Sequence, residues 1–142
     1  AKEEPELKES DPLKIRNQSG DKNIVVLVAE DDTVSYALFQ SYLSESNYKL
    51  LLAETGAETV SMVKNNPEIN IVLMDIKMPS MDGIEATREI RKFNTEIPVI
   101  AQTAYALPEE REKALEAGCN AYLAKPIRKD ELVNLINQMP GC

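Results

Sequence analysis

The stretch INIVLMDIKMPSMDG, residues 69–83, runs from an apolar segment straight into Asp75 and then into a turn. The near-continuous apolar run INIVLM is typical of a strand buried on both faces of a parallel sheet. Asp82 and Gly83 favour a cap and a turn ahead of a helix. The stretch therefore predicts a strand, a loop and a helix, with a carboxylate at the carboxyl end of the strand.

The same alternation of short β-branched runs and longer amphipathic segments continues through the chain from residue 24. The predicted strands span residues 24–29, 49–53, 70–74, 97–101 and 120–124. The predicted helices span residues 33–46, 56–65, 84–93, 108–117 and 129–138. The pattern predicts an α/β fold, a doubly wound five-stranded parallel sheet with helices on both faces. Residues expected in the core from the helices are Leu38, Leu43, Val60, Val63, Ile90, Leu115, Leu132 and Leu135.

The length and the hydrophobic content predict one globular domain. The chain has 142 residues, 43% of them hydrophobic, which is enough to fill the core of a single domain. Residues 1–22 mix charges, prolines and a glycine without apolar periodicity, so they are predicted to be a linker or tail. The domain is expected over residues 23–139, with a short C-terminal tail at 140–142.

Charge and composition argue against several functions. The net charge of -8 and the lack of a basic tract disfavour contact with nucleic acid. No apolar run approaches the roughly 20 residues of a membrane span, so a soluble domain without membrane contact is expected. Cys119 and Cys142 lack metal-ligand spacing and the sequence has no histidine, which argues against a zinc site. We expect a reduced, cytoplasmic setting.

Polar side chains follow four of the predicted strands. Glu30 to Asp32 follow the first strand, Asp75 the third, Thr103 the fourth and Lys125 the fifth. Ligands of doubly wound folds bind beyond the carboxyl ends of the strands, where the strand order reverses. These side chains are therefore predicted to form a carboxylate cluster that faces one hydroxyl and one ammonium group. Asp32 is expected to cap the first helix.

A carboxylate cluster of this kind predicts a bound cation and phosphoryl chemistry. Several carboxylates in one pocket repel one another unless a cation joins them, and oxygen ligands favour Mg²⁺. Because Mg²⁺ takes only one or two carboxylates, Asp75 is left as a candidate nucleophile toward phosphorus. The metal, Lys125 and Thr103 would stabilise the oxygens of the transferred group.

The segments VLVAEDD, IVLMDIKMPSMDG, PVIAQTAYA and AYLAKPI together resemble the receiver domain of two-component response regulators and hybrid histidine kinases. The resemblance covers residues 24 to about 138. It implies the strand order 2-1-3-4-5 and a cis peptide bond between Lys125 and Pro126. It also implies that Asp75 is the phosphoacceptor and that Glu30 and Asp31 are the acidic metal pair.

Four further roles follow from the resemblance. Lys77 matches the position whose backbone carbonyl binds the metal, and Lys125 matches the lysine of the family site. Thr103 matches the switch hydroxyl and Tyr122 the switch aromatic. The family surface that changes on phosphorylation comprises helix four, strand five and helix five, here about residues 104–138. Its expected exposed residues are Tyr105, Glu109, Arg128 and Lys129.

The resemblance predicts a module in a phosphorelay that catalyses only its own phosphorylation and dephosphorylation. Asp75 would accept a phosphoryl group from a phosphohistidine on a histidine kinase or a histidine phosphotransfer domain, with Mg²⁺ as cofactor. The donor must lie on another domain, because this sequence contains no histidine. We expect the chain to be a piece of a hybrid histidine kinase. The sequence leaves open whether phosphorylation causes the domain to dimerise.

Two other functions are compatible with parts of the pattern. A phosphatase of the haloacid dehalogenase type also combines an aspartate nucleophile with threonine, lysine and Mg²⁺. Its nucleophile normally lies on the first strand in a D-x-D sequence, whereas Asp75 lies on the third and precedes Ile76 and Lys77. A flavodoxin-like binding module without phosphotransfer would not require the full set of polar strand ends.

Overall fold

Five parallel strands form one sheet in the part of the chain that the structure describes. A computed structural model describes residues 24–44 and 47–139. The strands are β1 (Ile24–Ala29), β2 (Tyr48–Ala53), β3 (Ile71–Asp75), β4 (Val99–Thr103) and β5 (Ala121–Ala124). The helices are α1 (Thr33–Tyr42), α2 (Gly56–Asn65), α3 (Gly83–Arg91), α4 (Pro108–Ala117) and α5 (Lys129–Gln138). The sheet order is β2-β1-β3-β4-β5, so the predicted fold class and strand order are confirmed.

Helices cover both faces of the sheet, which explains the continuous apolar strands. Alternate residues of a strand point to opposite faces. On one face Leu27 and Met74 pack in a cluster with residues of α2, α3 and α4. On the other face Val26 and Leu73 pack with residues of α1 and α5. The central strands β1 and β3 are therefore buried from both sides.

The predicted helical core residues are mostly correct. Four are buried, namely Leu43, Val63, Ile90 and Leu132. Val60 and Leu135 are partly buried against the two clusters. The predictions for Leu38 and Leu115 are wrong, because these side chains are 41% and 39% exposed. On α4 the small residues Ala114 and Ala117 face the core, which turns Leu115 toward solvent.

The fourth strand begins two residues later than predicted. The Asn94 side-chain oxygen accepts hydrogen bonds from the backbone N–H groups of Glu96 and Ile97, each at 3.0 Å, so both residues belong to the turn. β4 also ends two residues later than predicted, so Thr103 is its last residue, and Asp75 is likewise the last residue of β3. α1 ends at Tyr42, short of the predicted residue 46.

The loop between β3 and α3 is closed by Asp82 and Gly83. The Asp82 side chain accepts a hydrogen bond from the Glu85 N–H at 2.8 Å and caps α3. The Gly83 N–H donates to the Ile76 carbonyl at 2.9 Å. A Cβ atom at residue 83 would clash with the Asp75 carbonyl oxygen, so glycine lets α3 begin directly against the end of β3.

The predicted linker at residues 1–22 and the predicted tail at 140–142 lie outside the described residues. Among the described residues, no helix combines the length and apolar character needed to cross a membrane.

Candidate functional site

The polar strand ends predicted from the sequence meet at one edge of the sheet. Asp75 and Thr103 are the last residues of β3 and β4, while Glu30 and Lys125 directly follow β1 and β5. The parallel register aligns these ends, since Asp75 pairs with Gln102 and Thr103 pairs with Ala124. The sheet thus places all four side chains on the same side of the molecule.

Glu30 and Asp75 form a compact cluster of three carboxyl groups with Asp31, here called the acidic pocket. One oxygen from each lies within 4.8 Å of the others. Glu30 and Asp75 are only 1% and 4% exposed, whereas Asp31 is exposed and opens the pocket to solvent. Three carboxylate oxygens at this spacing suit a hard cation such as Mg²⁺. The residues present therefore fit a metal site.

Lys125 provides the positive charge of the site. Its ammonium nitrogen lies 3.1 Å from Glu30 Oε1 and 3.5 Å from Asp75 Oδ2. Its backbone N–H donates to the Thr103 carbonyl at 2.7 Å. Its peptide bond to Pro126 is cis, as the family resemblance implies. The ammonium group can therefore balance two buried carboxylates at once.

The close carboxyl groups perturb one another. The pKa of Glu30 is raised to about 7, mainly by burial and also by the negative charge of Asp75, while Lys125 opposes both effects. Burial also raises the pKa of Asp75, against the lowering effect of Lys125. Burial lowers the pKa of Lys125, but attraction by Asp75 and Glu30 outweighs it and leaves that pKa raised. A site in which two carboxyl groups resist ionisation together favours a cation.

The two ends of Lys77 contact different parts of the site. Its backbone N–H donates to Asp75 Oδ1 at 3.3 Å. Its ammonium group lies 3.4 Å from Glu110 Oε2 on α4. Lys77 therefore connects the pocket to α4, a contact that the sequence did not predict.

The hydroxyl groups of the two predicted switch residues, Thr103 and Tyr122, form hydrogen bonds to different partners. The buried Thr103 hydroxyl accepts from the Tyr105 N–H at 3.3 Å and donates to the Tyr105 carbonyl at 3.4 Å. The Tyr122 hydroxyl donates to Glu110 Oε1 at 2.7 Å. Burial and this hydrogen bond raise the pKa of Tyr122 to about 12.

Sequence reasoning missed Glu110. Glu109, Glu110 and Glu112 follow one another closely in α4, and no sequence signal separates the one that contacts Lys77 and Tyr122. The predicted capping role of Asp32 is confirmed, because its side chain accepts from the Val34 N–H at 3.0 Å.

A protein-family model matches most of the chain. Residues 26–137 match the model described as the response regulator receiver domain. This chain belongs to the receiver domain family. Receiver domains are modules of two-component signalling, and the family resemblance drawn from the four motifs is thereby confirmed.

Similar proteins include receiver domains of sensor histidine kinases. The sensor histidine kinase RcsC of Salmonella typhi is 34% identical over 125 residues, which are 87% of this chain but only 13% of that protein. The receiver domain of a sensor histidine kinase from Pseudomonas aeruginosa, solved with magnesium coordinated in its active-site cleft, is 34% identical with a TM-score of 0.77. That match covers 85% of this chain and all of the other.

A further similar structure contains a phosphotransfer partner. It is the complex of the Saccharomyces cerevisiae histidine phosphotransfer protein Ypd1 with the receiver domain of Ssk1. Identity is 30% and the TM-score is 0.76, over 82% of this chain and 88% of the other. Neither alternative function is favoured, and the aspartate at the end of the third strand separates this receiver domain from the haloacid dehalogenase pattern.

Proposed function

We propose that Asp75 is the phosphoacceptor of this receiver domain and takes its phosphoryl group from a phosphohistidine. The observation that carries the proposal is the position of the Asp75 carboxylate, nearly buried between Lys125 and the other two acids of the acidic pocket. A carboxylate oxygen attacks phosphorus, the P–N bond breaks, and the imidazole nitrogen keeps the electron pair and takes up a proton. The product is an aspartyl phosphate.

The acidic pocket supports a requirement for Mg²⁺ in this reaction. Asp31 and Asp75 would hold the ion, with Glu30 beside it, and the family resemblance adds the Lys77 backbone carbonyl. Bound there, the ion would neutralise charge on the phosphoryl oxygens. The same residues would serve the loss of the phosphoryl group, so the module would catalyse only its own phosphorylation and dephosphorylation.

Lys125 and Thr103 would complete the site from the protein side. The Lys125 ammonium, 3.5 Å from Asp75 Oδ2, would pair with a phosphoryl oxygen as charge develops. The Thr103 hydroxyl, held by long hydrogen bonds to Tyr105, would exchange them for a bond to the phosphoryl group. That exchange would move the loop that leads into α4, and Tyr122 would follow on β5.

Phosphorylation with a small donor tests the role of Asp75. Acetyl phosphate with Mg²⁺ should label the protein, and hydroxylamine should remove the label, because an acyl phosphate is cleaved by this nucleophile. Asp75→Asn should abolish labelling. Asp82→Asn is a matched control, since Asp82 is an exposed aspartate in the same loop and asparagine caps a helix equally well. A hydroxylamine-stable label, or labelling of the Asp75→Asn protein, would refute the assignment.

The exposed apolar surface of α1 beside the pocket is the proposed docking site of the donor. Val34 and Leu38 are exposed there. Leu38 also lines a groove of about 290 Å³ that Phe39, Pro126 and Ile127 share with Lys125. A helix of a histidine kinase or phosphotransfer domain packed on this groove would bring its phosphohistidine to the acidic pocket.

Leu38→Glu separates docking from chemistry. Transfer from a panel of phosphorylated histidine kinase and phosphotransfer domains should slow, whereas labelling by acetyl phosphate should stay unchanged. Leu115→Glu on α4 is the matched control, because that leucine is exposed to a similar extent on another face. Equal transfer rates for the Leu38→Glu protein and the wild type would show that the donor docks on another surface.

The remaining features of the proposal concern the whole protein. The chain spans only 13% of the RcsC relative, and we propose that it is the receiver of a longer hybrid kinase. Residues 1–22 would be a linker, so their removal should leave labelling of Asp75 intact.

The cytoplasmic setting stays a prediction. Dimerisation on phosphorylation also stays a prediction, and light scattering with and without beryllofluoride tests it.

A further inference from the structure

Glu110 connects three elements of the fold through one carboxylate. Its side chain, on α4, is only 13% exposed. Oε1 accepts the hydroxyl of Tyr122 on β5 at 2.7 Å, and Oε2 lies 3.4 Å from the ammonium of Lys77 in the loop after β3. Because the Lys77 N–H donates to Asp75, a continuous chain of contacts joins Asp75, Lys77, Glu110 and Tyr122.

The burial of Glu110 distinguishes this contact from an ordinary surface ion pair. Exposed pairs contribute little, and the Lys77 side chain is 69% exposed. A carboxylate that is largely removed from water, however, needs its partners, and loss of one leaves it under-satisfied. The hydrogen bond to Tyr122 is short and charge-assisted, which makes it the stronger of the two contacts. Loss of the contact with Lys77 should therefore alter the hydrogen bond between Glu110 and Tyr122.

We propose that Glu110 is a positioning residue that couples occupancy of Asp75 to the orientation of Tyr122, along a route separate from Thr103. The inference rests on the proposed phosphorylation of Asp75. A phosphoryl group adds about -1.5 to -2 charges beside the Lys77 backbone. It is bonded to the carboxylate that accepts the Lys77 N–H, and its charge attracts the ammonium away from Glu110. Glu110 then holds Tyr122 and α4 less firmly.

The contact chain is testable without phosphorylation. Lys77→Met and Tyr122→Phe each remove one partner of Glu110 and keep the rest of the side chain. In a double-mutant cycle measured by urea unfolding, their effects on the unfolding equilibrium constant should depart from additivity by about threefold or more. The departure should vanish in a Glu110→Ala background. Additive effects in the presence of Glu110 would overturn the inference.

The link to occupancy is testable by backbone amide NMR of the unmodified and beryllofluoride-bound protein. In Glu110→Ala without beryllofluoride, the amide signals of Ala104 to Leu107 should lie partway along the line between the free and the bound positions of the wild type. Glu109→Ala, an exposed neighbour on the same helix, should leave them at the free positions. Free positions in Glu110→Ala as well would overturn the coupling.

The same spectra separate failure of this inference from failure of the proposed function. If beryllofluoride does not perturb the Asp75 and Lys77 amides of the wild type, Asp75 is not the acceptor, and the trigger of the coupling is overturned together with the proposed function. If those amides respond while Glu110→Ala keeps the free positions, only the coupling fails. The double-mutant cycle decides in either case whether Glu110 links Lys77 to Tyr122.

Discussion

Glu30 is buried beside the Asp75 carboxyl group, and this position determines how the metal-free protein responds to pH. Its pKa of about 7 in the folded protein is well above the ordinary value of 4.5. The folded state therefore binds a proton that the unfolded state has already released between these two values. Lys125 reduces this cost by its ion pair at 3.1 Å but does not remove it.

In EDTA, Glu30→Gln should stabilise the protein at high pH. A raised carboxyl pKa contributes stability that is complete below the unfolded pKa and is lost as pH rises through the folded pKa. The wild type should thus lose stability from pH 4.5 to above 7, and the neutral glutamine should not. The expected gain in the free energy of unfolding is about 3 kcal/mol at pH 8 and near zero at pH 4.

Urea unfolding at a series of pH values measures this gain. Glu54→Gln, an exposed glutamate that follows β2, serves as the control and should change the pH profile little. A Glu30→Gln protein whose profile runs parallel to the wild type would show that burial of the Glu30 charge does not oppose folding.

Asp31→Asn should weaken Mg²⁺ binding more than Glu30→Gln does. Asp31 is the exposed member of the acidic pocket and supplies an oxygen within 4.8 Å of the Asp75 and Glu30 oxygens. Loss of a direct ligand should lower affinity by roughly tenfold or more, since even groups behind the ligands contribute on that scale. Calorimetric titration measures it, with the neighbouring Asp32→Asn as control. Equal affinity in the Asp31→Asn protein would place the metal elsewhere.

At the scale of elements, the close approach of α3 to the end of β3 shapes the site. Gly83→Ala would press a methyl group against the Asp75 carbonyl and displace either the strand end or the helix start. The expected loss in the free energy of unfolding is about 1–3 kcal/mol, as for other overpacked sites. Labelling of Asp75 by acetyl phosphate should slow as well.

Arg88→Ala, an exposed change on the same helix, controls for effects on α3 itself. Thermal unfolding and labelling rate are both measured, because displacement of Asp75 affects both. Wild-type values for Gly83→Ala would mean that the loop absorbs the methyl group without moving Asp75.

The sequence could predict the helices and strands, and the polar side chains at the strand ends, because both depend on local sequence patterns. Continuous apolar runs identify strands covered on both faces, and a parallel sheet collects their carboxyl ends at one edge. The burial and contacts of single residues could not be predicted in this way, because they depend on tertiary packing. Leu115 faces solvent because Ala114 and Ala117 make the helix contact, and β4 begins late because Asn94 binds the preceding backbone. Glu110 acquires its contacts with Lys77 and Tyr122 only when α4 packs beside β5.

At the scale of the whole molecule, β4 and β5 connect the acidic pocket to the surface formed by α4, β5 and α5. Thr103 ends β4, and Glu110 begins the face of α4 that reaches β5. The predicted exposure of Tyr105, Glu109, Arg128 and Lys129 on this surface is confirmed. A charge placed at Asp75 would therefore reach this surface by two proposed routes, one through Thr103 and one through Lys77 and Glu110.

Thr103→Ala should reduce, but not abolish, the response of that surface to beryllofluoride. The Thr103 hydroxyl is held by two long hydrogen bonds to Tyr105, so it can be recruited by a phosphoryl group at small cost. Its loss removes that route and leaves the one through Lys77 and Glu110. Both proposed routes would act by shifting the population of Tyr122 orientations, and ligand binding shifts such a population only as far as its differential affinity allows.

Fluorotyrosine NMR of the Tyr122 signal, assigned with Tyr122→Phe, measures this response. Thr103→Ala should give a smaller shift at full Asp75 occupancy, Thr103→Ser should restore it because the hydroxyl returns, and Thr103→Ala combined with Lys77→Met should show almost none. Two results would contradict this account. A wild-type shift in Thr103→Ala would mean that the hydroxyl transmits nothing, and an undiminished shift in the double variant would mean that the signal leaves Asp75 through another face of the sheet.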